Sequence, residues 1–293
     1  MAGTGKKWLT GCAIGCVVLL AVLGLMAGAG YMMVSSTVEG FQRAQETGAQ
    51  LTERHGAAAS FTPPGLQALP VDRLQLFVQV RRDMDGPQRN LENAFRSFPD
   101  DLKEKDEGAL RTIFKVLGGL GDLLRPMGEY VEARNRLLLE ADMGPGEYLF
   151  YYGLIYYSWL GHAPSDAPSL GKQENDNGDV RIFAGRDAAY SPEQARLRYR
   201  FFTLAMMGNL ENSLTGTTDP AMVIAVEDLA AMHRRFASDP DQIAWSGSLP
   251  PAWQAALEPL RTDLESTYSP TANIFEWPRR DEDGARGLNI SLD

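Results

Sequence analysis

The chain has 293 residues, 44% of them apolar and 9% aromatic, which is enough to fold around a packed core and excludes disorder over most of its length. Its formal net charge of −10 offers no surface suited to a phosphate backbone, so nucleic acid is not an expected partner. The two cysteines, Cys12 and Cys16, leave the rest of the chain without a disulfide or a thiolate metal site.

An apolar segment without charged residues occupies positions 9–34. It is longer than the roughly 20 residues that cross a bilayer as a helix. Lys6 and Lys7 precede it, and Arg43 is the only basic residue among the fifteen that follow it. Because basic residues stay on the cytoplasmic side, we predict a cytoplasmic tail at 1–8, a single transmembrane helix at 9–34 and a main domain outside the cytoplasm.

Two alternatives to an uncleaved anchor remain open. The letters LTGC at 9–12 match a lipobox, although the apolar run follows the cysteine instead of preceding it. The letters AGA at 27–29 have the small-x-small form of a signal-peptidase site, which would leave Gly30 as the mature N-terminus. Apolar residues continue beyond that site as far as Val34, so we favour the anchor.

Two GxxxG patterns lie in the same segment, formed by Gly11 with Gly15 and by Gly24 with Gly28. Small residues at this spacing let two membrane helices approach closely, so the pattern predicts a face for homodimerisation. Glycine is frequent in membrane helices in general, and the same pattern also fits a helix without a partner.

Beyond this segment, the spacing of apolar residues predicts an all-α domain. Polar, Ala- and Gly-rich residues at 35–60 predict a neck or linker, and the letters FTPPG at 61–65 mark the start of a helical domain that extends to 268. Apolar residues at helical spacing predict helices at 71–84, 88–98, 110–124, 127–141, 191–214, 219–236 and 249–264. Pro126 is expected to stop or kink the chain between the third and the fourth of these helices.

The segment 147–160, EYLFYYGLIYYSWL, is apolar or aromatic on every face after its first residue. Such a helix is typical of the buried centre of a bundle, and it is too short for a second membrane span. The stretch 161–190 is rich in Pro, Gly, Ser, Asp and Asn, and it predicts either one small β-hairpin near 172–184 or a long surface loop. Residues 269–293 are predicted to be a C-terminal tail in which Phe275 and Trp277 are able to dock.

This layout resembles that of a group of uncharacterised bacterial single-pass membrane proteins. The likeness covers roughly residues 5–160 and includes a basic N-terminus, a glycine-rich membrane segment, a neck, the FTPP motif at 61–64 and Glu147-Tyr148 at the start of the aromatic helix. The helix after the motif carries Arg73, Leu76, Phe77, Val80 and Arg81. The resemblance implies a protein of the bacterial cell membrane with its main domain in the periplasm or outside the cell, and it implies no activity.

Glu147 is the candidate catalytic residue, because a lone carboxylic acid in an apolar wall can gain a raised pKa and act as a general acid on a glycan. The aromatic side chains after it are candidates for ligand binding, namely Tyr151, Tyr152, Tyr156 and Trp159. The simpler interpretation is that Glu147 favours the N-terminal end of a helix dipole and that the aromatic residues fill a core.

Other residue types give weaker signals. His55, His162 and His233 never have the i, i+4 spacing of a helical zinc site, so we predict no metal site and no cofactor. The letters QENDNGD at 173–179 resemble a calcium loop, but an EF-hand would need acids at 173 and 184, where the chain has Gln173 and Ala184.

Three classes of function follow from these patterns. We expect a non-catalytic interaction module that binds another envelope protein. The alternatives are an aromatic-lined bundle that binds a lipid or glycan, and a glycan-acting enzyme that uses Glu147. An open cleft beside Glu147 would favour the alternatives, and a fully packed helix at 147–160 would favour the interaction module.

Overall fold

The computed structural model describes residues 39–97, 109–166, 171–174, 180–183 and 192–278. The predicted transmembrane segment at 9–34, its four candidate dimerisation glycines and the two cleavage or lipidation alternatives lie outside these residues. Among the residues that are described, no helix combines the length and apolar character needed to cross a bilayer.

The described chain is mostly helical, which confirms the all-α fold class. The helices are α1 (39–55), α2 (Val71–Asp83), α3 (Asp85–Ser97), α4 (Ala109–Glu140), α5 (Pro145–Tyr152), α6 (Pro192–Leu214), α7 (Pro220–Ser238), α8 (Pro251–Leu257), α9 (Arg261–Ser266) and α10 (Asn273–Glu276). Short 3₁₀ turns at Ala58–Ser60, Pro164–Asp166 and Glu258–Leu260 connect some of them.

One small hairpin lies in the chain between Asp166 and α6. Its strands are β1 (Gly171–Glu174) and β2 (Val180–Phe183), which pair antiparallel with Gly171 opposite Phe183. It lies where the sequence predicted either a hairpin or a long loop.

The long helix α4 corrects one prediction, because it runs through Pro126 instead of ending there. Proline inside a helix removes a hydrogen bond and costs roughly 3 kcal/mol or more. Leu123, Met127 and Tyr130 lie on both sides of the proline and are all buried in the same apolar cluster. Packing of this shared face offsets the cost, so a separate helix beginning at 127 does not form.

The predicted neck contributes a helix to the bundle. Its helix α1 crosses α4 closely, since a Cβ atom added to Gly128 would lie 3.1 Å from the backbone carbonyl carbon of Gly40. Asn135 of α4 donates a hydrogen bond to the backbone oxygen of Ala44 at 3.0 Å. Leu51 is also buried in the main core. At least the stretch 39–55 is therefore packed against the domain.

The centre of the bundle is the segment 147–160, as the sequence predicted. From Tyr148 to Tyr157 its side chains are almost completely buried. The segment assigned to the tail also enters the core, because Asn273, Glu276 and Trp277 are no more than 2% exposed. Both ends of the described chain thus complete the packing around one aromatic helix.

Candidate functional site

Glu147, the candidate general acid, is bound by an arginine. Its two carboxylate oxygens accept hydrogen bonds from Nε and Nη2 of Arg73 at 2.7 and 2.5 Å. Nη2 of Arg73 also donates to the backbone oxygen of Asp142 at 3.0 Å. The hydrogen bond to Glu147 raises the pKa of the Arg73 guanidinium. Both carboxylate oxygens of Glu147 are therefore already engaged in an ion pair with Arg73.

The aromatic residues proposed from sequence as a ligand face lie inside the protein. Tyr151, Tyr152 and Tyr156 are at most 1% exposed. Trp159 is half-buried, and the guanidinium carbon of Arg261 lies 4.3 Å from the centre of its ring. The three tyrosines are therefore closed to a ligand, and Arg261 occupies one face of the Trp159 ring.

The cavity found beside this helix is small. It has a volume of about 10 Å³, close to the space required for one water molecule. Four of the residues that surround it are Phe150 of α5, Ser158 shortly after α5, Tyr199 of α6 and Trp245 in the turn after α7. A lipid or sugar ring does not fit there.

The aromatic helix changes its winding halfway. After α5 it continues as a π-helix, Gly153–Trp159, whose hydrogen bonds span five residues. In an α-helix successive side chains point about 100° apart, and the wider π turn reduces this angle. Tyr156 and Tyr157 therefore both point toward the C-terminal segment. Their hydroxyls lie within hydrogen-bond range of Thr267 and Asn273, respectively.

A guanidinium lies at the centre of the bundle. Arg81 of α2 has no exposed surface, and its Nη1 binds the Glu276 carboxylate at 2.7 Å and the Tyr148 hydroxyl at 2.9 Å. Nη2 donates to the backbone oxygen of Thr267 at 2.6 Å and to Gln88 at 3.1 Å. Every nitrogen of this side chain has a partner, which is what burial of a charge requires.

The carboxylate of Glu276 is equally well satisfied. It accepts hydrogen bonds from the hydroxyls of Tyr130 and Tyr148, the latter at 2.9 Å. Arg134 approaches it at 3.4 Å and donates to the backbone oxygen of Phe275 at 2.6 Å. We call Arg81, Glu276, Arg134, Tyr130 and Tyr148 the polar centre.

A second set of hydrogen bonds fixes α10 on the π-helix. The side-chain oxygen of Asn273 accepts from the hydroxyls of Tyr152 and Tyr157. The indole nitrogen of Trp277 donates to the Tyr157 hydroxyl at 2.9 Å. The side-chain amide of Asn273 also donates to the backbone oxygens of Ala163 and Pro164. The C-terminal segment is therefore bound along much of the aromatic helix.

The pKa shifts in this region keep Arg81 charged and the surrounding tyrosines neutral near pH 7. Burial lowers the pKa of Arg81, but the surrounding tyrosine oxygens and Glu276 outweigh burial and leave this pKa well above its ordinary value. Burial is the main reason why several tyrosine pKa values are raised. These residues are Tyr130, Tyr148, Tyr151, Tyr152, Tyr157, Tyr199 and Tyr268. Neutral phenols and a permanent cation do not provide an acid–base pair near neutral pH.

The histidines have separate environments. His162 stacks on Tyr268 with ring centres 3.7 Å apart, and Nδ1 of His233 lies 2.9 Å from Glu211. His55 lies near Asp142 at 3.6 Å. Within the described ranges, no three potential ligands among His, Cys, Asp and Glu come together as a metal site. Most of the calcium-like loop falls outside those ranges.

The polar centre was not predicted, although one signal for it was present. Arg81 falls at helical spacing from Leu74, Phe77 and Val78, so it lies on the apolar face of α2. A charge in an apolar stripe predicts a buried partner of opposite sign. Nothing local identifies Glu276 as that partner, because it lies 195 positions away.

The fold and the site define a class of protein, a helical bundle whose core is filled by aromatic rings around an internal ion pair. Comparison of the chain with protein-family models, with curated proteins and with solved structures finds no match. The packing of the aromatic helix and the polar centre is therefore the basis for the role proposed below.

Proposed function

We propose that this chain is a non-catalytic helical module, held at a bacterial cell membrane by its N-terminal segment, that binds another envelope protein through its outer surface. The observation that carries the proposal is the packing of 147–160. The helix that holds the candidate site residues is enclosed, and Glu147 is bound on both oxygens by Arg73. Recognition by this domain then has to use residues at its surface.

The membrane part of the proposal depends on the sequence. The uncharged segment at 9–34 follows two lysines and leads within a few residues into α1, which packs on the bundle. The glycines in the segment would add a contact between two such chains.

The location is tested by carbonate washing of membranes from cells that express the full chain, followed by N-terminal mass analysis. We expect the protein to stay in the pellet and to keep residues 1–29. A mature N-terminus at Gly30 would contradict the anchor, and a lipid on Cys12 would replace it by a lipoprotein.

The non-catalytic role is tested with Glu147→Gln in the full chain. Membranes carrying the wild type and the variant are crosslinked, and cell-wall glycan turnover is measured in the same cells. We expect the same crosslinked protein partner for both chains and no difference in turnover. Loss of turnover in the variant, with no partner in either sample, would favour the glycan-acting enzyme.

A further inference from the structure

The first two turns of α7 carry apolar side chains that the fold leaves exposed. Positions 221–226 read AMVIAV and follow the capping residue Asp219. Ile224 is 61% exposed and Val223 is 38% exposed, so they are two of the four most exposed large apolar residues in the described part of the chain. Scattered single residues of this kind are ordinary, but two adjacent ones at a helix end form a small patch.

The reason for their exposure is that α7 extends beyond the helix on which it packs. The two helices run antiparallel, because Arg200 of α6 donates to the backbone oxygen of Phe236 while Glu211 pairs with His233. Glu211 lies only three residues before the end of α6. His233 lies thirteen residues after the start of α7. Counted from this pair, α7 therefore extends about ten residues further than α6, and we call its residues before Leu229 the projecting half of α7.

The core uses α7 only from its middle onward. Its buried residues are Leu229, Met232 and Phe236, and no earlier residue of this helix belongs to the core. The exposed apolar residues of the first half therefore contribute little to stability in the isolated chain.

Charge then indicates what covers this patch. Glu227 and Asp228 lie four positions after Val223 and Ile224, and residues at this spacing share a helix face. Both acids are exposed, and across the described ranges neither forms an ion pair. The basic residues of this helix come about two turns later, at Arg234 and Arg235. The patch thus has an acidic border on its C-terminal side.

The end of α6 that leads into α7 lies beside the turn that follows α1. Asn209, near the same end of α6, donates hydrogen bonds at 2.9 and 3.0 Å to the backbone oxygens of Ala59 and Phe61. These two residues follow α1, so they lie beyond the end of α1 that is farther from residue 39.

We propose that the projecting half of α7 is the surface that binds the partner protein, and that the partner offers an apolar groove bordered by Lys or Arg side chains. This inference rests on the proposed function, because it names the surface that the interaction module uses. A helix face that fits an apolar groove is a common recognition mode, and the acidic border selects a basic rim.

The test places a photo-crosslinking amino acid at position 224 of the full chain in membranes of its native host. Matched controls carry it at Val71 and Leu197, which are 57% and 49% exposed and lie on other helices. We expect a protein adduct at 224 only, whose crosslinked peptide is apolar and flanked by Lys or Arg. The double variant Glu227→Lys/Asp228→Lys should lower the adduct yield by roughly tenfold. The control Glu46→Lys/Glu53→Lys changes the same charge at exposed sites on α1 and should leave it unchanged.

Each other outcome decides against the proposal. A lipid adduct at 224 would assign the patch to a membrane, and an adduct to a second copy of this chain would assign it to self-association. A partner adduct at 71 or 197 but not at 224 would leave the proposed function intact and place its surface elsewhere. A partner peptide without basic residues, or an adduct insensitive to the charge reversal, would refute the basic groove. Absence of any protein adduct at all three positions would overturn both the surface and the proposed function.

Discussion

Replacing Glu276 by Gln tests whether the polar centre stabilises the fold. The side chains of Glu276 and Arg81 have no exposed surface, and their closest atoms are 2.7 Å apart. The substitution keeps the shape but leaves the guanidinium buried among neutral groups, with Arg134 next to it. Removing one partner of a buried pair typically costs about 3–5 kcal/mol. That is a large share of a total unfolding free energy of roughly 5–15 kcal/mol.

The assay is urea unfolding of the purified full chain, followed by tryptophan fluorescence. With a slope of about 1–3 kcal/mol per molar urea, a loss of this size moves the midpoint by on the order of 1 M or more. The matched control is Glu258→Gln, which removes a surface carboxylate that binds Arg261. Since that pair is exposed to solvent, no measurable shift is expected.

The double variant Arg81→Met/Glu276→Gln separates charge from shape. Because both buried charges of the pair are gone, its loss should be smaller than the sum of the two single losses. If Glu276→Gln unfolded at the wild-type urea concentration, the ion pair would not hold the C-terminal segment. Its docking would then depend on Asn273 and on the Trp277 ring.

The remaining predictions concern packing, the glutamate and the tyrosines. Phe150→Ala should lower the unfolding free energy by about 3–5 kcal/mol in the same assay. Trp159→Ala should lower it clearly less, because Trp159 is half-buried, and equal losses would contradict this packing. Gly146→Ala should destabilise, since its Cβ would lie 2.5 Å from a backbone oxygen, whereas the control Gly86→Ala meets nothing within 4 Å and should not. Glu147→Gln should cost less than Glu276→Gln, because the Arg73–Glu147 pair keeps some exposed surface and the Arg81–Glu276 pair has none; equal losses would contradict this difference. Burial raises the pKa values of Tyr148, Tyr152 and Tyr157, so the stability that they confer is fully present below about pH 10, the ordinary tyrosine pKa, and is lost as pH rises from there toward the raised values. Their tyrosinate absorbance should therefore appear together with unfolding, and ionisation of these three tyrosines in the folded protein would contradict their burial.

Most helices could be predicted because their apolar residues repeat at helical spacing. The start of α7 follows from the capping residue Asp219 and the proline after it, and α6 also begins at a proline, Pro192. The core role of 147–160 followed from the absence of a polar face. The same absence hid the π-helix, because a segment that is apolar on every side carries no period that distinguishes one winding from another.

The docking of α10 could not be predicted from local pattern. A four-residue helix has no usable periodicity, and Asn273 and Glu276 are residue types that are usually exposed. Their burial depends on hydroxyls and a guanidinium contributed by α2, α4 and the π-helix. Sequence spacing predicts which face of a helix is apolar, but it does not predict which distant polar group enters that face.

The binding surface proposed on α7 lies apart from the polar centre, and this separation can be tested. The polar centre lies where no partner can reach it, and Ile224 lies where it adds little to the core. Glu276→Gln should therefore lower the urea midpoint and, at concentrations where the chain is still folded, leave the adduct at position 224 unchanged. Ile224→Ser should leave the midpoint within about 0.5 kcal/mol of wild type and reduce partner binding. If both variants changed both properties, α7 and the core would be coupled, and the projecting helix would not be an independent binding surface.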